Sequence, residues 1–292
     1  MRTFIIFLSI LWLTLFACES TEKTVEPPTE LTIGTFNLQF LPDQLDTGDI
    51  PRSAEDMDNL VRLIDESGWQ LLTVQEVLSA DSLRLLQAHG LSSAWRLALG
   101  ASGGTQKVGI LYDTRVIDGL DDVHELDNDD GLIPADWSGL RYPLAATVRV
   151  LGGFTFTVVC VHLKAGITNA GASQRARQVE QLAAWAAGRS TPLLIMGDFN
   201  DTFEGIHGTI VTLTALQEAG AEVGRFLTAD LPAGDFTSLE FQDLIDHVFI
   251  SPDLDARVVP GSLATVKFDQ DVSYDGLTIS DHRPVRFTIH LE

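Results

Sequence analysis

The chain has 292 residues, 45% of them hydrophobic and 21% charged, which is ordinary for a soluble globular protein with a substantial core. Its length suits one large domain as well as two small ones. The net charge of −22, from 19 Lys and Arg against 41 Asp and Glu, argues against casual binding to nucleic acid. It does not exclude a phosphate substrate, because a bound divalent cation reverses the local field at a site.

In chain order, residues 1–17 stand apart from the rest. Arg2 gives a short basic start, and Phe4 to Phe16 is nearly all apolar, too short to cross a bilayer comfortably but suited to a signal-peptide core. The run ends in Leu15-Phe16-Ala17-Cys18, which resembles the lipobox of bacterial lipoproteins. The resemblance implies cleavage before Cys18 and lipid on its thiol. An ordinary signal peptide cut nearby and a buried N-terminal helix are the other readings of the same residues. Residues 18–30 are polar and Pro-bearing, without periodicity, and read as a lipidated cysteine followed by a flexible tether. The expected location is therefore outside the cytoplasm, periplasmic or cell-surface, with the membrane reached through the N-terminal lipid alone. The other cysteine, Cys160, sits in the apolar run Phe156 to Val161. With Cys18 lipidated it has no disulfide partner, so it is expected to be a small buried hydrophobe.

From Leu31 the chain alternates short β-type runs with helical or irregular stretches. Leu31 to Phe36, Leu71 to Val74, Val108 to Tyr112, Leu144 to Val150, Phe154 to Val161, Leu193 to Met196, Asp246 to Ile250 and Val285 to Leu291 read as strands. Helices are predicted over Ser53 to Glu66, where Met57, Leu60, Val61 and Ile64 share a face, over Ala172 to Ala187, and over the shorter Leu83 to Gln87. Gly119 to Gly139 is acidic and Gly-punctuated and reads as a surface excursion. No later apolar stretch is long enough to span a membrane. The mixture predicts an α/β protein with helices covering sheets.

Several apolar runs end in a polar residue suited to metal or proton chemistry: Asn37, Glu76, His162 and Asp198. Strand ends are where α/β folds build sites, because the sheet fixes position and the next loop leaves room for a ligand. The segments Thr35-Phe36-Asn37-Leu38, Gln75-Glu76-Val77, Val161-His162-Leu163-Lys164, Gly197-Asp198-Phe199-Asn200, Asp246-His247-Val248-Phe249 and Ser280-Asp281-His282-Arg283-Pro284-Val285 occur in this order. Together they resemble the endonuclease/exonuclease/phosphatase superfamily over residues 31–292. Each segment is a weak signal alone, and the ordered set is a specific one. The resemblance implies two face-to-face β-sheets flanked by helices, a four-layer α/β sandwich. It also implies a monomeric, Mg²⁺- or Mn²⁺-dependent hydrolase of phosphate esters, with nucleic acid among the possible substrates.

The chemistry needs these residue types. Hydrolysis of an anionic phosphodiester concentrates charge on the attacking and leaving oxygens, and a hard cation held by oxygen ligands offsets it. Glu76 and Asp281 offer carboxylates and Asn37 an amide oxygen; by resemblance Glu76 is the principal ligand, helped by the other two. Asp198 and Asn200 would face the nucleophilic water and the phosphate, although Asp and Asn at this spacing also build turns on their own backbone. Asp246 and His282 resemble an acid–base dyad in which the carboxylate holds one imidazole nitrogen and the other orients the attacking water. By resemblance His162 donates to the phosphate or protonates the leaving group, and Arg141 lies near the phosphate, with a surface charge the alternative for Arg141. His247 is read as a support residue. Arg175 and Arg177 are open between anionic substrate and solvent.

No Lys/Arg-rich ribbon with interleaved aromatics appears, which argues against a sequence-specific duplex binder. A scavenging nuclease, a lipid phosphodiesterase of the sphingomyelinase kind and a small phosphate-ester hydrolase remain open. An inactive surface binding lipoprotein is the reading from another class. Glu76, Asp198, Asp246 and His282 are all present, which favours catalysis.

Overall fold

The structure is a computed structural model that describes residues 27–43, 52–274 and 279–292. The expected signal segment and Cys18 lie outside these residues. Along the chain come β1 (Glu30–Leu41), a helix at Ala54–Glu66, β2 (Leu71–Val77), a helix at Asp81–Ala88, β3 (Trp95–Leu99), β4 (Lys107–Asp113), β5 (Ile117–Glu125), β6 (Leu144–Val150) and β7 (Thr155–His162). A long helix at Asn169–Ala187 follows, then β8 (Leu193–Asp198), β9 (Arg225–Phe226), β10 (Asp246–Ile250), β11 (Ala264–Thr265) and β12 (Val285–His290).

The strands form two six-stranded sheets, ordered β11-β12-β1-β2-β4-β3 and β5-β6-β7-β8-β10-β9. Each is antiparallel except at its centre, where β1 pairs parallel with β2 and β7 parallel with β8. A parallel pair needs a crossover, and the Ala54–Glu66 and Asn169–Ala187 helices supply one for each sheet. Ser53 caps the first of these: its Oγ accepts from Asp56 N and its own N–H donates to Asp56.

Three apolar clusters define four layers. The central one joins Leu31, Ile33, Leu71 and Ile110 of one sheet to Val148, Val158, Met196 and Val248 of the other. A second packs Val179, Leu182 and Trp185 of the long helix against Val159, Val161 and Ile195. The third packs Leu60, Val61 and Ile64 against Phe36, Leu72 and Val74. The two-sheet sandwich flanked by helices is thus present. Cys160 is fully buried in the central cluster, as expected of a small apolar side chain. Among the described residues no helix is long and apolar enough to cross a membrane.

All eight predicted strands and three predicted helices form, with bounds that differ by a few residues. The expectation of a surface excursion over Gly119 to Gly139 needs correction: its first third belongs to β5, an edge strand paired to β6 alone. Its four acidic residues, Asp118, Asp121, Asp122 and Glu125, mask the strand signal. Charge on an edge strand also discourages pairing with a second molecule.

One glycine is required by the packing of the central strands. Gly197 has φ +147°, and a Cβ there would lie 2.0 Å from the carbonyl oxygen of Val161, its register partner on β7. Gly197→Ala should therefore cost about 3 kcal/mol through strain and overpacking. Urea denaturation checks this, and an unchanged midpoint would contradict it.

Candidate active site

The two central parallel pairs end on the same side of the sandwich, and four polar residues stand at those ends. Asn37 is the last residue of β1 before its pairing with β2 breaks and Glu76 the first of β2 beyond that point, while His162 and Asp198 are the last residues of β7 and β8 and are register partners. Asp246, the first residue of antiparallel β10, pairs directly with Asp198. Regular pairing of β1 and β2 stops after Asn37 and Gln75 and resumes at Leu41 and Val77. Inside that bulge Gln39, Phe40 and Glu76 adopt positive φ, 44°, 60° and 58°. Such backbone is costly for residues with a Cβ and persists where surrounding structure over-determines it. It re-aims Glu76 from the face that strict alternation would give it.

These residues contact one another. Asn37 Nδ2 donates to Glu76 Oε1 (3.3 Å) and Asp198 Oδ2 (3.1 Å), while its Oδ1 accepts from Gln39 N (3.0 Å). His162 Nε2 lies 3.4 Å from Asp198 Oδ2 and 3.9 Å from Glu76 Oε1. Asp198 Oδ1 accepts from Asn200 N at 2.8 Å, and Asn200 Nδ2 donates to Leu163 O at 3.3 Å. The turn and the site are therefore one object: one Asp198 oxygen builds the turn and the other faces the cluster. His282 Nδ1 and Asp246 Oδ2 are 2.7 Å apart, both residues buried. The second oxygen, Asp246 Oδ1, is buried without a hydrogen-bond partner among the described residues. Asp281 is half-buried beside them, and its charge reaches both Glu76 and His282.

Burial sets the electrostatics. Desolvation, with the neighbouring charge of Asp198, pushes the Glu76 carboxyl up to about 7 against the pull of His282. Burial and the charge of Asp246 push Asp198 up to about 6. Burial, then the positive charges of Arg141 and His282, holds the His162 imidazole well below its ordinary value, so it is neutral. His282 goes the other way. Burial alone would lower it, but the charge and hydrogen bond of Asp246, aided by Asp198 and Asp281, hold it well above the usual imidazole range.

Arg141, placed near the phosphate by resemblance, is buried behind the site. Its Nε and Nη2 donate to the carbonyls of His162 (2.8 Å) and Leu163 (2.9 Å), and its Nη1 to Gln106 Oε1 (3.2 Å). Gln106 Nε2 in turn reaches Glu76 Oε1 at 3.4 Å. Arg175 is fully buried, donating to Lys164 O (2.7 Å), Gly166 O (3.2 Å) and Thr212 Oγ1 (3.3 Å) beside Asp201 at 3.7 Å. Arg177 pairs with Asp136 at 2.7 Å. Arg175 holds a loop from inside the protein, whereas Arg177 is an exposed side chain that faces solvent while paired to Asp136. His247 is the support residue expected: Nδ1 lies 3.0 Å from Thr228 Oγ1, Nε2 lies 2.9 Å from Asp201 O, and Phe199, Phe203 and Phe226 surround the ring.

Gln106 carries no signal in the sequence, and Ser280 stands in a matching segment there without a role of its own. Ser280 Oγ donates to Asn37 O (2.6 Å) and accepts from His282 N (3.0 Å), joining the dyad loop to β1. Ser280 links a residue two positions away to one 243 positions away, and the side-chain partners of Gln106 lie 30 and 35 positions away, so no local pattern reports these contacts.

The fold and this constellation can be set beside known proteins. Among curated proteins no sequence match is found. Solved structures do match in fold. A functionally unknown conserved protein from Enterococcus faecalis V583 superposes with a TM-score of 0.64 at 18% identity, covering 89% of this chain and 100% of that one. TDP2 from D. rerio, complexed with single-strand DNA product, gives 0.66 at 14% identity over 89% and 99%. The human Nocturnin catalytic domain with bound sulfate gives 0.63 at 15% over 90% and 95%. The sequence profile of one family matches residues 34–282, a span that runs from β1 through Asn37, Glu76, His162, Asp198 and Asp246 to His282. On that match the chain belongs to the Endonuclease/Exonuclease/phosphatase family.

Proposed function

We propose that this chain is a divalent-cation-dependent phosphodiesterase that hydrolyses its substrate with a water oriented by His282. The observation that carries the reading is the buried 2.7 Å His282–Asp246 pair set against Glu76, Asp198 and His162. Family membership supports a hydrolase of phosphate esters.

The donor set fits a hard cation. Glu76 and Asp198 are carboxylates driven up to about 7 and about 6 because they are buried close together, the condition that a bound cation relieves. Glu76 would hold it, with Asp281; Asn37 presents Nδ2 to this cluster and its oxygen to Gln39 N, so its amide would have to turn over to add an oxygen ligand. Donor atoms of Asp198, Asp246 and His282 also lie within 4.8 Å of one another. Using that seat would sacrifice the Asp246–His282 hydrogen bond, so the Glu76 side is preferred. When bound, Mg²⁺ or Mn²⁺ supplies neutralisation of charge on the phosphoryl oxygens.

The remaining roles belong to this chain's own side chains. Asp246 occupies His282 Nδ1, which leaves Nε2 to accept the water's proton once the ring is neutral. Asp198 Oδ2, on the register partner of Asp246, orients that water from the other side. Neutral His162 donates from Nε2, the nitrogen facing Asp198 and Glu76, to a phosphoryl or leaving oxygen. The Asn200 amide steadies the phosphate, and preorganised donors of this kind are worth about 3 kcal/mol each.

Nucleic acid is the leading substrate class, in keeping with the single-strand DNA product held by the TDP2 structure. A small or lipid phosphodiester is the second reading. It is favoured by the net charge of −22 and by the burial of Arg175 on the carbonyls of Lys164 and Gly166, which removes that arginine from any surface a polyanion could meet. Plasmid DNA, single-stranded RNA, sphingomyelin and bis-nitrophenyl phosphate, each tested with Mg²⁺, Mn²⁺ and Ca²⁺, separate these. Failure to cleave any of them with any cation would leave the binding-protein reading standing.

We further propose that the protein is exported and anchored through lipid on Cys18, on the strength of Phe4 to Phe16 followed by Leu15-Phe16-Ala17-Cys18. Cys18→Ser should release it from the membrane fraction. Continued sedimentation with membranes would point to an uncleaved N-terminal helix.

A further inference from the structure

The bulge that re-aims Glu76 leaves carbonyls of β1 without their ladder partners. Between the Asn37–Gln75 and Leu41–Val77 pairs, residues 38 to 40 of β1 face the single residue 76 of β2. Buried carbonyls stripped of ladder partners need other donors, since one left bare has given up its hydration for nothing. Arg52 supplies them. Its Nη2 donates to Leu38 O (2.6 Å) and Gln39 O (2.9 Å), its Nε to Asp43 O (3.1 Å), and its Nη1 to Ile279 O. The last acceptor belongs to a different part of the chain, immediately before Ser280-Asp281-His282.

Resting on the function proposed above, we infer that Arg52 is a positioning residue that sets the spacing between Asn37 and Glu76 on one side and Asp281 and His282 on the other. One planar guanidinium spans both segments, and Ser280, bonded to Asn37 O and His282 N, is the shorter link beside it. The side chain is buried and touches no atom of the reacting cluster in any hydrogen bond described above. Its hydrogen bonds above therefore act through backbone, and beside them its charge reaches Asp281, a contribution that a lysine would keep. Burial lowers its guanidinium to about 10, against the charges of Asp56, Asp281 and Asp43, so it remains cationic. A lysine keeps the charge but has no fork able to reach four carbonyls on two segments.

A misplacement of about 1 Å between reacting groups costs about 10²-fold in rate. Arg52→Lys in the full-length protein, assayed on bis-nitrophenyl phosphate with Mn²⁺, should lose about 10²-fold in kcat with KM within about twofold. In Arg52→Ala, millimolar guanidinium should restore kcat several-fold without raising the melting temperature, which a purely structural role would not show. Hydrogen exchange in Arg52→Lys gives a readout independent of turnover: peptides covering 36–43 and 279–283 should lose protection together while β10 keeps its own. Unchanged kcat in active Arg52→Lys would overturn the inference. So would losses that track the unfolded fraction without guanidinium rescue, or the two peptides exchanging independently. Should the wild-type protein cleave no phosphodiester, the proposed function fails, and the exchange experiment still decides whether Arg52 couples the two segments.

Discussion

His282→Ala should lower turnover by about 10²-fold or more, the range typical of a general acid–base residue. Asp246→Asn should cost somewhat less, because it perturbs the ring rather than removing it. If the 2.7 Å pair acts as one unit, the double variant should be scarcely worse than His282→Ala alone. Strictly multiplicative losses would show two separate roles, and full activity in His282→Ala would remove the residue from catalysis. The pH profile gives a second test with a definite sign. Asp246 holds the imidazolium well above its ordinary range, and a base works only when neutral. The acid limb of kcat/KM should therefore lie above the usual imidazole range and move to lower pH in Asp246→Asn. A limb that stays put in that variant would assign the titration elsewhere.

Chelation should abolish turnover, and Mg²⁺ or Mn²⁺ should restore it, because the site offers oxygen ligands and no thiolate. Glu76→Gln should keep the fold and weaken cation affinity by about 10²-fold or more, beyond the 10–100-fold typical of residues that only support ligands. Calorimetry measures this directly. Undiminished activity in excess chelator would exclude the cation-dependent account.

The same variant should stabilise the cation-free protein at alkaline pH. The Glu76 carboxyl stands at about 7 in the fold against an ordinary 4.5, so the native state binds the extra proton. A carboxyl raised in this way costs stability as pH climbs through that window. Removing it should raise the melting temperature at pH 8 and leave it nearly unchanged at pH 5. Stability gained where activity is lost marks a site held against its own folding preference. A lower melting temperature at pH 8 would instead make Glu76 a structural residue.

The sequence by itself determined the family and most of the elements. Alternating and continuous apolar runs are local signals, and they located eight of the twelve strands among the described residues and the three longest helices. The polar residues that close four of those runs, with Asp246 and Ser280-Asp281-His282, identified the residues that the fold gathers, because a sheet fixes where its strand ends lie. What tertiary structure alone decided was which charged groups serve the site and which serve the scaffold. Arg141, Arg175 and Arg177 look alike in sequence, yet one braces β7 behind the cluster and the others pin loops to carbonyls and to Asp136. Arg52, an unremarked residue before a helix, reaches Ile279, 227 positions away. The aim of Glu76 was hidden too, since a bulge is a property of two paired strands and not of either one. The β5 edge was missed because its charges answer to solvent and not to the pleat. Hydrophobic periodicity records which side of an element is dry; which donor meets which acceptor is settled only when the distant segments pack.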